Sequence, residues 1–267
     1  MRLQTVVRSA VALSEDVVGL MLPVACAGCG RGERSLCAAC AALFGAPYRC
    51  EEDTVVLGAQ DYAPALGLPT WTTAAYAGPA RHVVLAWKSG ARPDLSRVLA
   101  EVGERAGRRL ASELVLPAGS ATFAGSGTAS GAKGADLLVV PAPSGWRRRT
   151  ARLLVAADLA AALAGGLAAG TGARVWAVDV LRRRGGSGHR LGAAARTRRG
   201  RGSARVVTAV PTGVPVLIVD DVVTTGSTIH ASRTALAGAG AEVIGAFALA
   251  ATPRPGRPVV VPGGPAT

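Results

Sequence analysis

Aromatic residues are scarce, at 4% of the chain, which argues against an extensive platform on which bases could stack. No apolar stretch approaches the roughly eighteen uninterrupted residues of a membrane span. Acidic residues are also few, 17 against 30 lysines and arginines, so the formal net charge is +13 and the pI near 11.0. That balance points to polyanionic company such as phosphate esters, pyrophosphate or nucleic acid. A codon bias toward Arg and Ala would produce the same charge with no partner. No serine or cysteine stands with a histidine and an acid as a catalytic triad would, and His189 alone is no evidence for a general base. The sequence has no internal repeat.

What is present fits one α/β domain with a small appendage: 267 residues, 49% of them hydrophobic, largely alanine and valine. The 35 glycines and 16 prolines require several loops. Near the start, Arg2 and the apolar residues after it resemble a signal peptide, and Val24-Ala25-Cys26 faintly resembles a lipoprotein cleavage site, but Glu15 and Asp16 break the run. Val6, Val7, Ala10, Leu13, Val17, Leu20 and Met21 recur instead at helical spacing. A cytoplasmic protein with an amphipathic helix over residues 1–24 and no membrane partner is expected.

Residues 25–50 hold all five cysteines. Farther on, Trp71–Tyr76 reads as a strand, followed by helical segments from Pro79 and around Leu95–Leu114. Residues 117–135, rich in Gly, Ala and Ser, read as a flexible insertion. Asp136–Pro141 and Arg174–Val180 read as strands flanking a helix over Thr150–Leu167. Residues 182–205, with nine arginines and no acid, read as a basic loop. Val214–Val219 has the β-branched character of a strand buried on both faces. Thr228–Ala239 reads as a helix closed by Gly238 and Gly240, Glu242–Leu249 as a strand, and residues 253–267, with five prolines, as a disordered tail. The alternation from 136 onward predicts an α/β fold, a mainly parallel twisted sheet with helices on both faces.

The segment Val214–Thr228 carries the most chemistry. A buried strand leads into Asp220 and Asp221, and then a turn of small residues opens a helix. Ligands of open α/β sheets bind at such carboxyl ends. Consecutive amides over Thr224, Thr225, Gly226, Ser227 and Thr228 suit a phosphate at a helix N-terminus, and the four hydroxyls add donors. Asp220 and Asp221 suit vicinal ribose hydroxyls, directly or through Mg²⁺. The structural alternative is a strand, a helix cap and an incidental acidic pair. Over Val216–Thr228, including Val222 and Val223, the stretch resembles the motif of type I phosphoribosyltransferases that binds 5-phosphoribosyl-1-pyrophosphate (PRPP).

Cys26-Ala27-Gly28-Cys29 and Cys37-Ala38-Ala39-Cys40 form two CxxC pairs across a short loop. Two such turns complete a tetrahedral Zn²⁺ site, here a structural one over residues 25–50. A redox CxxC or unliganded thiols are the alternatives. Cys50 is left over as a plain thiol.

Cysteine knuckles ahead of a PRPP motif resemble the ComF family of competence-associated, phosphoribosyltransferase-like proteins. Ala75–Arg81, Leu85–Arg92, Val139–Pro143 and Ser187–Arg205 are similar to further segments of that family. The resemblance covers about Leu22–Leu249 and implies a phosphoribosyltransferase-like domain over residues 70–252. It implies Lys88, with Ser89, Gly90 and Arg92, as the group meeting pyrophosphate; a solvated helix-end lysine is the bland reading. Two departures stand out: the polar patch that normally follows Pro143 is shortened over Ser144–Arg152, and Gly186 replaces a glutamine. The implied function is binding of PRPP or a related ribose 5-phosphate with Mg²⁺. Either the phosphoribosyl group is transferred to an acceptor, with Asp220, Asp221 and Lys88 as catalytic residues, or the pocket senses its ligand without turnover. DNA uptake or processing is the implied setting. The basic loop would then be a hood over the substrate, a track for single-stranded DNA, or a solvated loop, with a DNA-processing protein as a further partner.

Overall fold

The computed structural model describes residues 25–32, 34–50, 68–114, 136–143, 155–183 and 204–253. The amphipathic helix, the insertion, the 144–152 segment, residues 184–203 of the basic loop with His189, and nearly all of the tail lie outside the described residues.

The β-branched run around Val216 becomes the centre of the sheet. Strand β7 (Pro215–Val223) has Val216, Leu217, Ile218 and Val219 fully buried. Leu217 and Val219 pack into one hydrophobic cluster and Val216 and Ile218 into another, the period-two alternation of a strand covered on both faces. On one side β7 pairs in parallel with β8 (Glu242–Ala251), and on the other with β3 (Leu137–Pro141). Outside these lie β2 (Thr70–Ala75) and the short edge strand β4 (Val175–Ala177), also parallel. Among the described residues, only β1 (Tyr48–Arg49) is antiparallel in this sheet; it follows the small helix α1 (Ala38–Ala41) and closes the β2 edge. The six strands described run in the order β1-β2-β8-β7-β3-β4. The expected parallel α/β sheet is present, with this one antiparallel addition.

One face is covered by α2 (Gly78–Lys88), α3 (Leu95–Leu110) and α4 (Val155–Thr171), which share a core with Trp71, Leu137 and Phe247. The other carries α5 (Ser227–Ala237) and a two-stranded hairpin, β5 (Leu181–Arg183) against β6 (Ala204–Val206). These two strands, which the sequence does not announce, are the described residues on either side of 184–203.

α3 and α4 touch backbone to backbone. A Cβ added at Gly107 would lie 2.3 Å from the Leu163 carbonyl oxygen, and one at Gly166 would lie 2.0 Å from that of Glu104. Only glycine permits this approach.

The strand does not stop at the acidic pair. Val222 and Val223 still pair with Ala250 and Ala251, so β7 continues past Asp220 and Asp221 and the turn begins only at Thr224. Hydrogen bonding to β8 carries the ladder on where the side-chain pattern suggests an end.

Candidate functional site

Beyond the end of β7 the backbone turns through Gly226, whose φ of 68° is the left-handed conformation that favours glycine. α5 starts at Ser227, and its first regular bond runs from the His230 N–H to the Gly226 carbonyl at 2.9 Å. The N–H groups of a helix's first turn have no intrahelical acceptor and point, with the helix dipole, into the space before the helix. The Thr225 hydroxyl donates to Ser227 Oγ at 3.1 Å. Thr224 and Thr225 are exposed, and Gly226, Ser227 and Thr228 are partly exposed. The turn is therefore an accessible cup of amides and hydroxyls suited to a phosphate-sized anion.

Asp220 and Asp221 stand behind the cup, still within the strand. The Asp221 side chain is only 6% exposed, and Lys88 Nζ lies 2.5 Å from its Oδ1. The ion pair brings the end of α2 to the centre of the sheet. The Asp221 N–H donates to Asp220 Oδ1 at 2.8 Å. The Asp220 carboxyl is closely surrounded by protein atoms although the residue as a whole is half-buried. Burial first, then the Asp221 carboxylate, pushes it up to about 8, with Lys88 pulling the other way.

This shift has a consequence for stability. Folded Asp220 keeps its proton to a higher pH than the unfolded chain, whose aspartates ionise near about 3.9. The stabilisation is complete below that value and is lost as pH rises through about 8. Asp94, held down to about 2, has already ionised over most of this window. Cys26, lowered to about 6, contributes with the opposite sign over the same range, so the test is a difference: between about pH 5 and 8 Asp220 should pull the thermal midpoint down, and Asp220→Asn should remove that pull relative to the wild type. A pH dependence unchanged by the substitution would assign the titration to another group.

Ser89 and Gly90 follow Lys88 in a compact turn, with Ser89 Oγ donating to the Ala86 carbonyl at 3.0 Å and Gly90 at φ 77°. Thus Lys88 meets the acidic pair, while Ser89 and Gly90 remain at the end of α2. Arg92 departs from expectation. Its guanidinium donates to the carbonyls of Ala25 and Ser35 and to Asp94, so it is engaged with the cysteine segment rather than presented with Lys88 to a ligand. A planar fork of five donors satisfies several carbonyl and carboxylate oxygens at once, which sequence position alone does not reveal.

The Sγ atoms of Cys26, Cys29, Cys37 and Cys40 all lie within 4.8 Å of one another, with Cys29 and Cys37 at 3.8 Å. A tetrahedral ion with metal–sulfur bonds of about 2.3 Å sets its ligands about 3.8 Å apart, so the four thiols have nearly the spacing of a Zn²⁺ cage. Burial opposes ionisation of Cys26, but N–H groups of Cys37, Cys29 and Gly28 outweigh it and lower the thiol to about 6. Burial, followed by the neighbouring thiols, raises Cys40. None of the five cysteines is in a disulfide. Cys50 is buried in the cluster on the opposite side of the sheet from the α2–α4 helices. The four soft sulfur ligands fit Zn²⁺ and form one compact set.

Among the described residues, no helix is long and apolar enough to cross a membrane. The family model of the phosphoribosyl transferase domain matches residues 159–260, which include β7, the Thr224–Thr228 cup and α5. No match was found among curated proteins. Together with the mostly parallel sheet, the domain match gives the chain a phosphoribosyltransferase-like α/β fold with a four-cysteine cluster ahead of it.

Proposed function

We propose that the pocket at the end of β7 binds PRPP, or a closely related ribose 5-phosphate, as a ComF-like phosphoribosyltransferase-type site. One observation carries the reading: an accessible amide and hydroxyl cup directly follows an acidic pair on the same strand, and a lysine from another element is already paired with that acid. The 5-phosphate sits on Thr224, Thr225, Gly226, Ser227 and Thr228. The ribose hydroxyls face Asp220 and Asp221, with Val222 and Val223 spacing the acids from the cup. Arrival of the ligand exchanges the Lys88 ammonium on Asp221 for hydroxyl donors, which frees Nζ for the pyrophosphate beside Ser89 and Gly90. Mg²⁺, when bound with the ligand, supplies charge neutralisation of the pyrophosphate. A lysine at the departing diphosphate stabilises charge that grows as the glycosidic bond breaks.

The test is calorimetric titration of PRPP with Mg²⁺ into the zinc-loaded chain. Saturable binding is expected, and the Asp220→Asn, Asp221→Asn double variant should lose it. A folded wild type that takes up no PRPP overturns the reading. Pyrophosphate release in the presence of candidate acceptors then distinguishes a transferase from a sensor. A role in DNA uptake or processing accords with the ComF-like arrangement and with the +13 charge.

A further inference from the structure

The cysteine segment touches α2 along its length and again past its end. Midway along the helix, His82 Nδ1 lies 3.0 Å from the Gly28 carbonyl, inside the first CxxC turn. Past its end, Arg92 Nη1 donates to the Ala25 carbonyl at 2.8 Å and Nη2 to that of Ser35 at 3.3 Å. Ala25 directly precedes Cys26, and Ser35 stands two residues before Cys37, so one guanidinium joins the approaches to both cysteine turns. The same group holds Asp94 through Nε at 3.0 Å and Nη2 at 2.8 Å, which fixes it at the start of α3. Only Ser89, Gly90 and Ala91 separate Arg92 from Lys88. That stretch is folded on itself, with the Ala91 N–H donating to Ser89 Oγ at 3.3 Å.

We infer that Arg92 is a positioning residue that couples the four-cysteine cage to the Lys88 loop, so that a metal held by the cysteines sets where the lysine and its following turn stand. The physical basis is geometric. The Ala25 and Ser35 carbonyls keep a fixed separation while both cysteine turns hold one ion, and a planar fork that bonds to both can lie in only one place. When the turns part, the fork loses one carbonyl or the other, and the three-residue path to Lys88 loosens. The consequence for PRPP rests on the function proposed above; the coupling itself does not.

The test is hydrogen–deuterium exchange on the full chain in four states: zinc-loaded wild type, chelated wild type, zinc-loaded Arg92→Gln and zinc-loaded Arg92→Lys. Chelation and Arg92→Gln should each accelerate exchange over residues 85–95 while β7 and β8 stay protected, and Arg92→Gln should retain its zinc. Arg92→Lys should behave like Arg92→Gln, since one ammonium cannot span both carbonyls and Asp94. PRPP affinity should fall by on the order of tenfold in the same states. If Arg92→Gln keeps both its zinc and wild-type exchange over 85–95, the coupling is refuted, and it is refuted also if lysine restores protection. Should chelation unfold the chain, the zinc-loaded variants still decide. If PRPP does not bind the wild type, the proposed function falls and the exchange data still judge the coupling.

Discussion

Gly166→Ala is expected to destabilise the chain by at least about 3 kcal/mol, whereas Gly165→Ala, one position away, should leave it unchanged or add about 0.5–1 kcal/mol. The two sites share a helix and a substitution but not a neighbourhood. At Gly166 the new methyl would lie 2.0 Å from the Glu104 carbonyl oxygen, 2.9 Å from its carbon and 3.0 Å from the Arg108 nitrogen. All three are backbone atoms of α3, so no side-chain rotamer can relieve the overlap, and the helices must separate. That separation would unpack Leu99, Leu163 and Leu167, each fully buried between the helices and the sheet. At Gly165 a methyl meets nothing within 4 Å, and only the intrinsic preference of alanine for a helix remains. Denaturant midpoints of the two variants against the wild type measure the difference. Equal midpoints would mean that α3 and α4 do not touch as described.

The second large effect concerns the metal. The purified chain should carry one Zn²⁺, and Cys40→Ser should abolish stoichiometric binding, because three thiolates and a hydroxyl make a much poorer cage for a soft-ligand site. Structural zinc contributes about 10–16 kcal/mol to the folding of small zinc-finger peptides, so losing it should unfold at least the cysteine segment. Gly28→Ala should act more gently on the same property. Its Cβ would stand 2.7 Å from Cys40 Sγ and would displace that ligand without removing it. A loss of roughly 10–100-fold in zinc affinity is expected, the usual scale for groups that orient a ligand. Cys50→Ser, in the opposite cluster, serves as the control and should retain full zinc. Competition with a chromophoric chelator measures all three. Wild-type protein without zinc, or Cys40→Ser with a full complement, would remove the metal from the description.

Features with local physical causes could be read from the residue order. The Val216–Val219 run announces a strand buried on both faces, the hydroxyl-rich turn announces an exposed helix start, and the cysteine spacing announces a cage. Features joining distant parts of the chain could not. The family resemblance brings Lys88 and Asp221 to one site, but their direct ion pair across 133 residues has no signal in the residues beside either. Arg92 looked like a companion of Lys88 because of its place, while its partners lie in a segment far upstream. The hairpin of Leu181–Arg183 and Ala204–Val206 is hidden by its arginines, which blur any alternation over three-residue strands. The helix glycines did carry a signal: Gly103 with Gly107 and Gly166 with Gly170 recur four apart, the spacing that puts a small residue on one helix face each turn. In a glycine-rich sequence this spacing passes for flexibility.

The pairing of β2 with β8 also has a consequence for how the chain folds. Thr70 finds its partner at Ala246, and Thr73 donates its hydroxyl to the Leu249 carbonyl. The strand next to the cysteine segment thus completes its sheet only with a strand synthesised long after it. Until then β2 has no parallel neighbour and β7 lacks the strand that lies between it and β2. Contacts this far apart in sequence slow folding, because the loop must close before the contacts repay it. The nascent chain therefore has an exposure interval of more than a hundred residues, during which apolar strand edges are open to chaperones and to misassociation. Its yield in the cell should depend on how fast that interval passes, a vulnerability that the finished sheet conceals.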